Sequence, residues 1–401
     1  MADHPTRPEI RLLDGEFYGD DPIEHYRWMR ENAPLYYDAD AKVWGVNLHE
    51  DILTISKDAD TFCSGQGSRP ENGSYTPSMI NMDDPAHKRR RTVVNRGFSP
   101  RRVADHEPKI RQICRDLVAD VAARGECDFV RQIAAPLPMI VIGDMLGVLP
   151  EDRDKLLRWS EEMLGATSAT ADGETLQRAV MAGVDYSGYA MDVIAKRRED
   201  PRIDDLIGLL VNAKIDGENL DDEALIHESL LILVGGDETT RHVMTGGTLA
   251  LLQHPEQLQM LLDDPTKIPL AVEEMLRWVS PIKNMNRTAT RDVEYRGQSI
   301  SKGDKLLLLY HSANRDERVF DEPDRFDITR DPNEHVAFGG YGYHFCLGAS
   351  LARLELKIFF EEVLPRLPDL RLAKDANLSL RPSNFIAGLE EMRVEFTAPR
   401  S

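Results

Sequence analysis

The chain is expected to fold mainly as α-helix with small β-sheets, and three observations say so. Apolar residues recur at helical spacing over long stretches near 20–32, 101–124, 150–165, 174–198, 221–253 and 349–364. Strand-like runs are few and short. No Pro/Ser/Gly-rich linker, low-complexity tract or internal repeat interrupts the 401 residues, so residues 1–401 read as one continuous domain.

Along the chain, the first hairpin joins Leu35-Tyr36-Tyr37 to Lys42-Val43-Trp44, aromatic and β-branched runs flanking a polar turn. Segments 65–80 and 165–185 are rich in Gly, Ser, Thr and Ala, which predicts mobile loops or a lid of short helices able to admit a large substrate. The longest helical pattern starts at Asp221-Asp222-Glu223, whose negative charges suit a helix N-terminus, and continues through Leu230 to Val234. A second hairpin runs Val293-Glu294-Tyr295, turns through Arg296-Gly297 and returns at Ser299-Ile300, ahead of the apolar run from Lys305 to Tyr310. Leu351, Leu354, Ile358 and Val363 then give the last long helix its buried face.

Composition excludes several classes. The apolar runs are too short to cross a bilayer, and charges at Arg7, Glu9, Arg11 and Asp14 break any secretory h-region, so a cytosolic protein is expected. Cys63, Cys114, Cys127 and Cys346 form no C-x-x-C pair, which argues against zinc ribbons, iron–sulfur clusters and a disulfide framework. A net charge of −20 disfavours nucleic acids and anionic membranes. Lys88, Arg89, Arg90, Arg91, Arg96, Arg101 and Arg102 stand out as a basic island, either a solvated helix face or a dock for an acidic protein.

Chemistry concentrates in Phe338-Gly339-Gly340-Tyr341-Gly342-Tyr343-His344-Phe345-Cys346-Leu347-Gly348. The glycines let backbone approach a ligand closely, and Cys346 opens a helix whose dipole favours a thiolate. Read alone, Cys346 is equally a small buried hydrophobe. Gly235 and Gly236 sit inside the longest helical pattern at a cost of about 1 kcal/mol each relative to Ala. Either a neighbouring helix packs closely there, or the helix crosses a cofactor beside Glu238 and Thr239. Glu274 and Arg277, three apart, can pair on one helix face, and His87 and Arg91 share a face at i, i+4.

Together these strings resemble the cytochrome P-450 monooxygenases. The resemblance implies a single-domain fold holding haem b (iron protoporphyrin IX) between the long central helix and the cysteine-loop helix, with Cys346 as thiolate ligand of the iron. It further implies that His87, Arg91, Arg287, His344 and Gly348 contact the haem, the cations through its propionates. Glu238 would relay protons, with Thr239 bonding to bound dioxygen and Asp237 and Thr240 structural. Glu274, Arg277 and Arg325 (in Pro323-Asp324-Arg325-Phe326) would form a buried ionic lock. The family places Phe seven residues before Cys; here Phe338 is eight before it, so the loop is one residue longer, and Phe338 and Tyr341 compete for the position against the ring. The implied electron donors are an acidic ferredoxin and its reductase, acting with O₂, and the basic island falls on the side where the donor would dock.

From residue 14 onward the chain is similar to a narrower group within that family, the actinobacterial enzymes that hydroxylate the terminal side-chain carbon of cholesterol and cholest-4-en-3-one. The segments Gly125–Val130, Pro136–Met139, Ile142–Gly147, Gly235–His242, Glu273–Arg287 and Arg381–Phe385 carry this similarity. Other sterols, fatty acids or terpenoids, and a non-catalytic haem-thiolate ligand binder, are the alternatives. Met79, Ile80, Val234, Gly235, Ile282 and Met285 are candidates to line an apolar substrate pocket, each equally able to be core.

Overall fold

Helices built on the expected apolar spacing enclose one large core, and a smaller sheet closes one side. The computed structural model describes residues 5–19, 22–70, 77–168, 171–200 and 205–398. The central helix spans Asp222–Gln253, 32 residues or about 48 Å at 1.5 Å per residue. Asp221 caps it, its carboxylate accepting the Ala224 N–H at 2.8 Å. Against it pack the helices Pro136–Leu146, Gly173–Glu199, Ile268–Val279 and Ala349–Val363. Their buried Ile, Leu, Val and Phe side chains merge into the main core.

The largest sheet has the strand order Leu35–Asp38, Val43–Val46, Lys305–Leu309, Asn284–Ala289, Phe62–Cys63. Only Lys305–Leu309 and Val43–Val46 run parallel, with Leu306 opposite Trp44. Leu306 to Leu309 are all fully buried, as expected of a strand covered on both faces. Antiparallel register also sets Leu306 opposite Arg287, and this fixes where Arg287 leaves the sheet. The hairpin Val293–Tyr295/Gln298–Ile300 forms as the sequence indicates.

Two expectations need revision. The stretch 101–124 is two helices, Pro100–Asp105 and Glu107–Ala122, because Pro108 lacks the N–H that a continuous helix would require. The helical stretch expected at 174–198 forms as Gly173–Glu199, and it takes in most of 165–185, whose composition also suggested mobile loops or a lid of short helices. Asp172 accepts the Thr175 N–H at 2.8 Å and caps it, so there the helical periodicity outweighs the loop-like composition. Residues 71–76 of the other expected loop, and 169–170 of this one, lie outside the described residues.

Candidate active site

The cysteine loop is shaped by its glycines and by one hydrogen bond. Gly339 adopts φ +96°, and the Cys346 N–H donates to the Phe338 carbonyl at 3.0 Å. Gly340 and Gly342 press against Ile52 and Ser56, where a Cβ would collide with backbone. The extra residue is absorbed at the surface: Tyr341 takes φ +57°, stacks on Phe345 at 5.0 Å between centroids and is half exposed. Phe338 stays inside, packed on the main core beneath the Arg353 guanidinium. The inner ring beside Cys346 is therefore Phe338.

Cys346 is solvent-accessible although protein surrounds it on nearly every side, so its sulfur lies at the floor of a recess. Burial pushes its thiol pKa up. The Gly348 and Ala349 N–H groups and the Arg91 and Arg353 charges oppose this and favour the anion. A Cβ at Gly348 would meet nothing within 4 Å, so the backbone there borders open space.

Around the recess, Arg91 and Arg287 gather beside two histidines, of which His87 turns its Nδ1 to Asp84 Oδ1 at 3.2 Å. His87 and His344 rings lie 4.1 Å apart between centroids, and His344 Nε2 contacts the Met82 carbonyl at 3.1 Å. Arg91 reaches the carbonyls of Tyr343 (3.2 Å) and Phe345. Burial, then Arg287, His87 and Arg91, drive the His344 pKa to about 2. The fully buried Nε2 of His87 has no hydrogen-bond partner. The two guanidiniums and the unpartnered histidine nitrogen call for anionic acceptors, and the two carboxylates of haem meet that need with the donors present. These residues fit haem.

On the opposite wall, the two glycines divide the roles that sequence left open. A Cβ at Gly236 would stand 2.7 Å from Ile142, so this glycine serves helix packing, whereas one at Gly235 would meet nothing within 4 Å. Thr239, one turn on, donates its hydroxyl to the Gly235 carbonyl at 2.9 Å. Glu238 is fully buried, with Arg241 Nη2 at 2.6 Å, His242 Nε2 at 3.3 Å and Arg381 Nη1 at 3.7 Å. Burial pushes its pKa up, but these cations outweigh it and hold the carboxyl below its usual range. Asp237 next to it goes the other way, pushed well up by burial and by the Glu238 charge. Arg241 continues to Glu161 (2.9 Å) and Arg381 to Glu390 (2.7 Å), both acids exposed, which links Glu238 to the surface. Arg381 and Glu390 there border a cavity of about 170 Å³ shared with Gly165, Ser168 and Thr175.

Behind the cysteine loop, Glu274 and Arg277 pair bidentately at 2.7 and 2.8 Å, fully buried. Arg325 does not complete this lock. Its side chain is exposed and pairs with Glu322 at 2.9 Å, while only its carbonyl accepts from Arg277. Arg330, five residues on, turns inward onto Glu274 at 3.2 Å. Arg330, Arg241 and Arg381 carry roles that the sequence reading did not assign. Of these, Arg241 had a signal, an acid–base spacing of i, i+3 with Glu238.

Met285 and Arg287 share one face of the strand Asn284–Ala289, so Met285 extends from the cation cluster along the same wall. Ile282 and Met285 are partly buried beside the sheet core, Ile80 and Val234 are half-buried, and Met79 is buried in the main core. The basic island splits: Arg90 and Arg91 turn inward, Arg89 pairs with Asp216, and Lys88, Arg96 and Arg101 are exposed.

A family model described as Cytochrome P450 matches residues 262–368. A steroid C26-monooxygenase of Mycolicibacterium smegmatis is 49% identical over 398 residues, covering 99% of this chain and 98% of that protein. A methyl-branched lipid omega-hydroxylase of Mycobacterium tuberculosis is 38% identical over 366 residues, 88% of this chain and 84% of that one. Among solved structures, a Mycobacterium marinum cytochrome P450 in complex with pseudoionone has a TM-score of 0.91 at 32% identity, covering 99% and 100% of the two chains. CYP109E1 of Bacillus megaterium in complex with testosterone has a TM-score of 0.87 at 32% identity, covering 95% and 99%. No helix among the described residues is long and apolar enough to cross a membrane. Identity at this level along almost its whole length makes the chain a member of the cytochrome P450 family, a monooxygenase that carries haem b on a cysteine ligand.

Proposed function

We propose that the chain hydroxylates the terminal side-chain carbon of a sterol such as cholest-4-en-3-one, in the cytoplasm, with electrons from an acidic ferredoxin and its reductase. The observation that carries this is the 49% identity, end to end, with steroid C26-monooxygenases of two mycobacterial species. The methyl-branched lipid omega-hydroxylase points the same way, since both names describe oxidation at the end of a chain. In this reading the exposed Lys88, Arg89, Arg96 and Arg101 form the electron donor's dock.

Haem, when bound, supplies the activation of dioxygen. Cys346 holds it as a thiolate, favoured by the Gly348 and Ala349 amides and by Arg91 and Arg353. His87, Arg91, Arg287 and His344 orient it by taking its carboxylates. Thr239 presents a hydroxyl at the open turn beside Gly235, and Glu238 moves protons toward it when Arg241 or Arg381 releases the carboxylate. Met79, Ile80, Val234, Ile282 and Met285 exclude water and align the hydrocarbon by shape.

The test is titration of the holo-protein with cholest-4-en-3-one, following the iron spin state, beside a medium-chain fatty acid and followed by product analysis. A shift for the sterol with terminal alcohol as product supports the assignment; preference for the fatty acid overturns it. Loss of the red-shifted Soret band of the reduced carbon monoxide complex in Cys346→Ala checks the ligand.

A further inference from the structure

Glu228 is fully buried on the central helix, in a region the proposed mechanism leaves without a role. It precedes Gly235 by seven residues, two turns, so both look out from the same side of the helix, toward the space that Gly235 borders. Its Oε1 accepts two hydrogen bonds, from the Met79 N–H at 2.7 Å and from Arg90 Nη1 at 3.0 Å. Its Oε2 and the Arg90 Nε have no partner. Each contact comes from an element of the site. Met79 begins the short turn Met79–Asn81, and Met82, just past it, gives its carbonyl to His344. Arg90 belongs to the helix Ala86–Val94, which also carries His87 and Arg91. Asn81 closes the same turn back onto the Ser68 N–H at 2.8 Å.

A short wall segment is thus held at one end by a carboxylate on the central helix and at the other by a histidine of the cation cluster. A backbone N–H held by a buried carboxyl is a directional contact, stiffer than the apolar packing around it; burial pushes the Glu228 pKa up to about 7, and the Arg90 charge and the Met79 N–H favour its anion. We propose that Glu228 is a positioning residue for substrate: through Met79 and Arg90 it fixes how far the Met79–Met82 wall stands from the haem cradle, and so which carbon of a long hydrocarbon reaches the reactive position. The inference rests on the sterol-hydroxylase reading for its substrate and on the geometry alone for the wall.

The experiment compares holo-protein of wild type, Glu228→Ala, Glu228→Gln and the double variant Glu228→Gln/Arg90→Gln. Two readouts are used: product distribution from cholest-4-en-3-one, and spectral affinity for 4-phenylimidazole relative to imidazole, the smaller ligand serving as the control for iron access. For Glu228→Ala, 4-phenylimidazole and sterol should bind about 10- to 100-fold more weakly while imidazole is unchanged, a loss equal to one or two hydrogen bonds to a charged group. Subterminal alcohols should appear among the products. Glu228→Gln keeps an acceptor for Met79 but strands the Arg90 charge, so the double variant should recover terminal selectivity better than Glu228→Gln, which also covers a failure of Glu228→Ala to fold. Unchanged 4-phenylimidazole affinity, or an equal change for imidazole, overturns the inference. If wild type ignores the sterol, the sterol reading fails by itself, and the imidazole pair still decides the role of Glu228.

Discussion

Arg330 Nε lies 3.2 Å from Glu274 Oε2 and closes a cage of donors around that carboxylate. Arg277, the Asp327 N–H and the Asn333 amide supply the rest, at 2.7 to 3.0 Å. Arg277 in turn donates to the Asn314 and Pro323 carbonyls, at 2.8 Å each, so the pair staples the helix Ile268–Val279 to the segment leading into the cysteine loop. Truncating Glu274 strands a buried guanidinium and should cost about 3–5 kcal/mol. Arg330→Ala should be clearly destabilising but milder, since Arg277 still satisfies the carboxylate, and Arg325→Ala should change nothing measurable. Denaturant midpoints of the three holo-variants check the order. Equal losses for Arg325→Ala and Arg330→Ala would contradict it.

The divergence between Asp237 and Glu238 gives a sharper test than either residue alone. Burial, then the Glu238 charge, favours the neutral form of Asp237, so Asp237→Asn should cost little in charge and leave turnover within a few-fold. Glu238→Gln removes the ionised member and should slow turnover about 100-fold, the lower end of what a general acid contributes, with a raised solvent isotope effect. Thr239→Ala should keep substrate affinity but divert reducing equivalents to peroxide, read as the ratio of product to electrons consumed. If Asp237→Asn proves the more damaging variant, the two acids have exchanged roles.

How much of this was legible in sequence follows from the range of the interactions. Helix positions, the hairpins and the cysteine loop depend on local spacing, and Cys346, Glu238, Thr239 and the His87/Arg91 pair could all be singled out from residues close in sequence. Arg325 and Arg330 show the limit. Both lie in one short irregular segment, five residues apart, and which of them turns inward depends on a turn conformation that no periodicity reports. Arg381 reaches Glu238 across 143 positions, and Glu228 reaches Met79 across 149. Contacts at that separation leave no trace in the spacing of either segment.

Lys283 offers a pH-dependent check on the packing behind the pocket. Its ammonium is buried between the Val279 and Ser280 carbonyls, at 3.3 and 3.2 Å, and burial, then the Arg315 charge, lowers its pKa to about 7. A depressed basic group binds fewer protons folded than unfolded between about pH 7 and its free value near 10.4, so its contribution makes stability rise with pH across that window. The span is worth roughly 5 kcal/mol at 1.36 kcal/mol per unit. Lys283→Met removes the titration, so the difference in stability between variant and wild type should favour the variant most near pH 7 and shrink toward pH 10. A difference independent of pH would mean that the amine is solvated in the native state.

In the proposed reading, the exposed cations of the basic island would receive the electron donor. Lys88 on the helix Ala86–Val94, Arg96 in the turn after it and Arg101 on the helix Pro100–Asp105 face solvent, in a chain whose net charge is −20. An acidic donor, as proposed, would be repelled by most of this surface, so local attraction would have to steer its approach, and steering of that kind is screened over about 8–10 Å at physiological salt. Reversing the three charges to Glu should slow reduction of the substrate-bound iron by ferredoxin about 10-fold or more at low salt and flatten its ionic-strength dependence, measured by stopped flow under carbon monoxide. Arg90→Ala should not flatten it, because Arg90 is spent inward on Glu228. An unaltered salt profile in the triple variant would return these side chains to the status of ordinary solvated surface and send the search for the dock elsewhere.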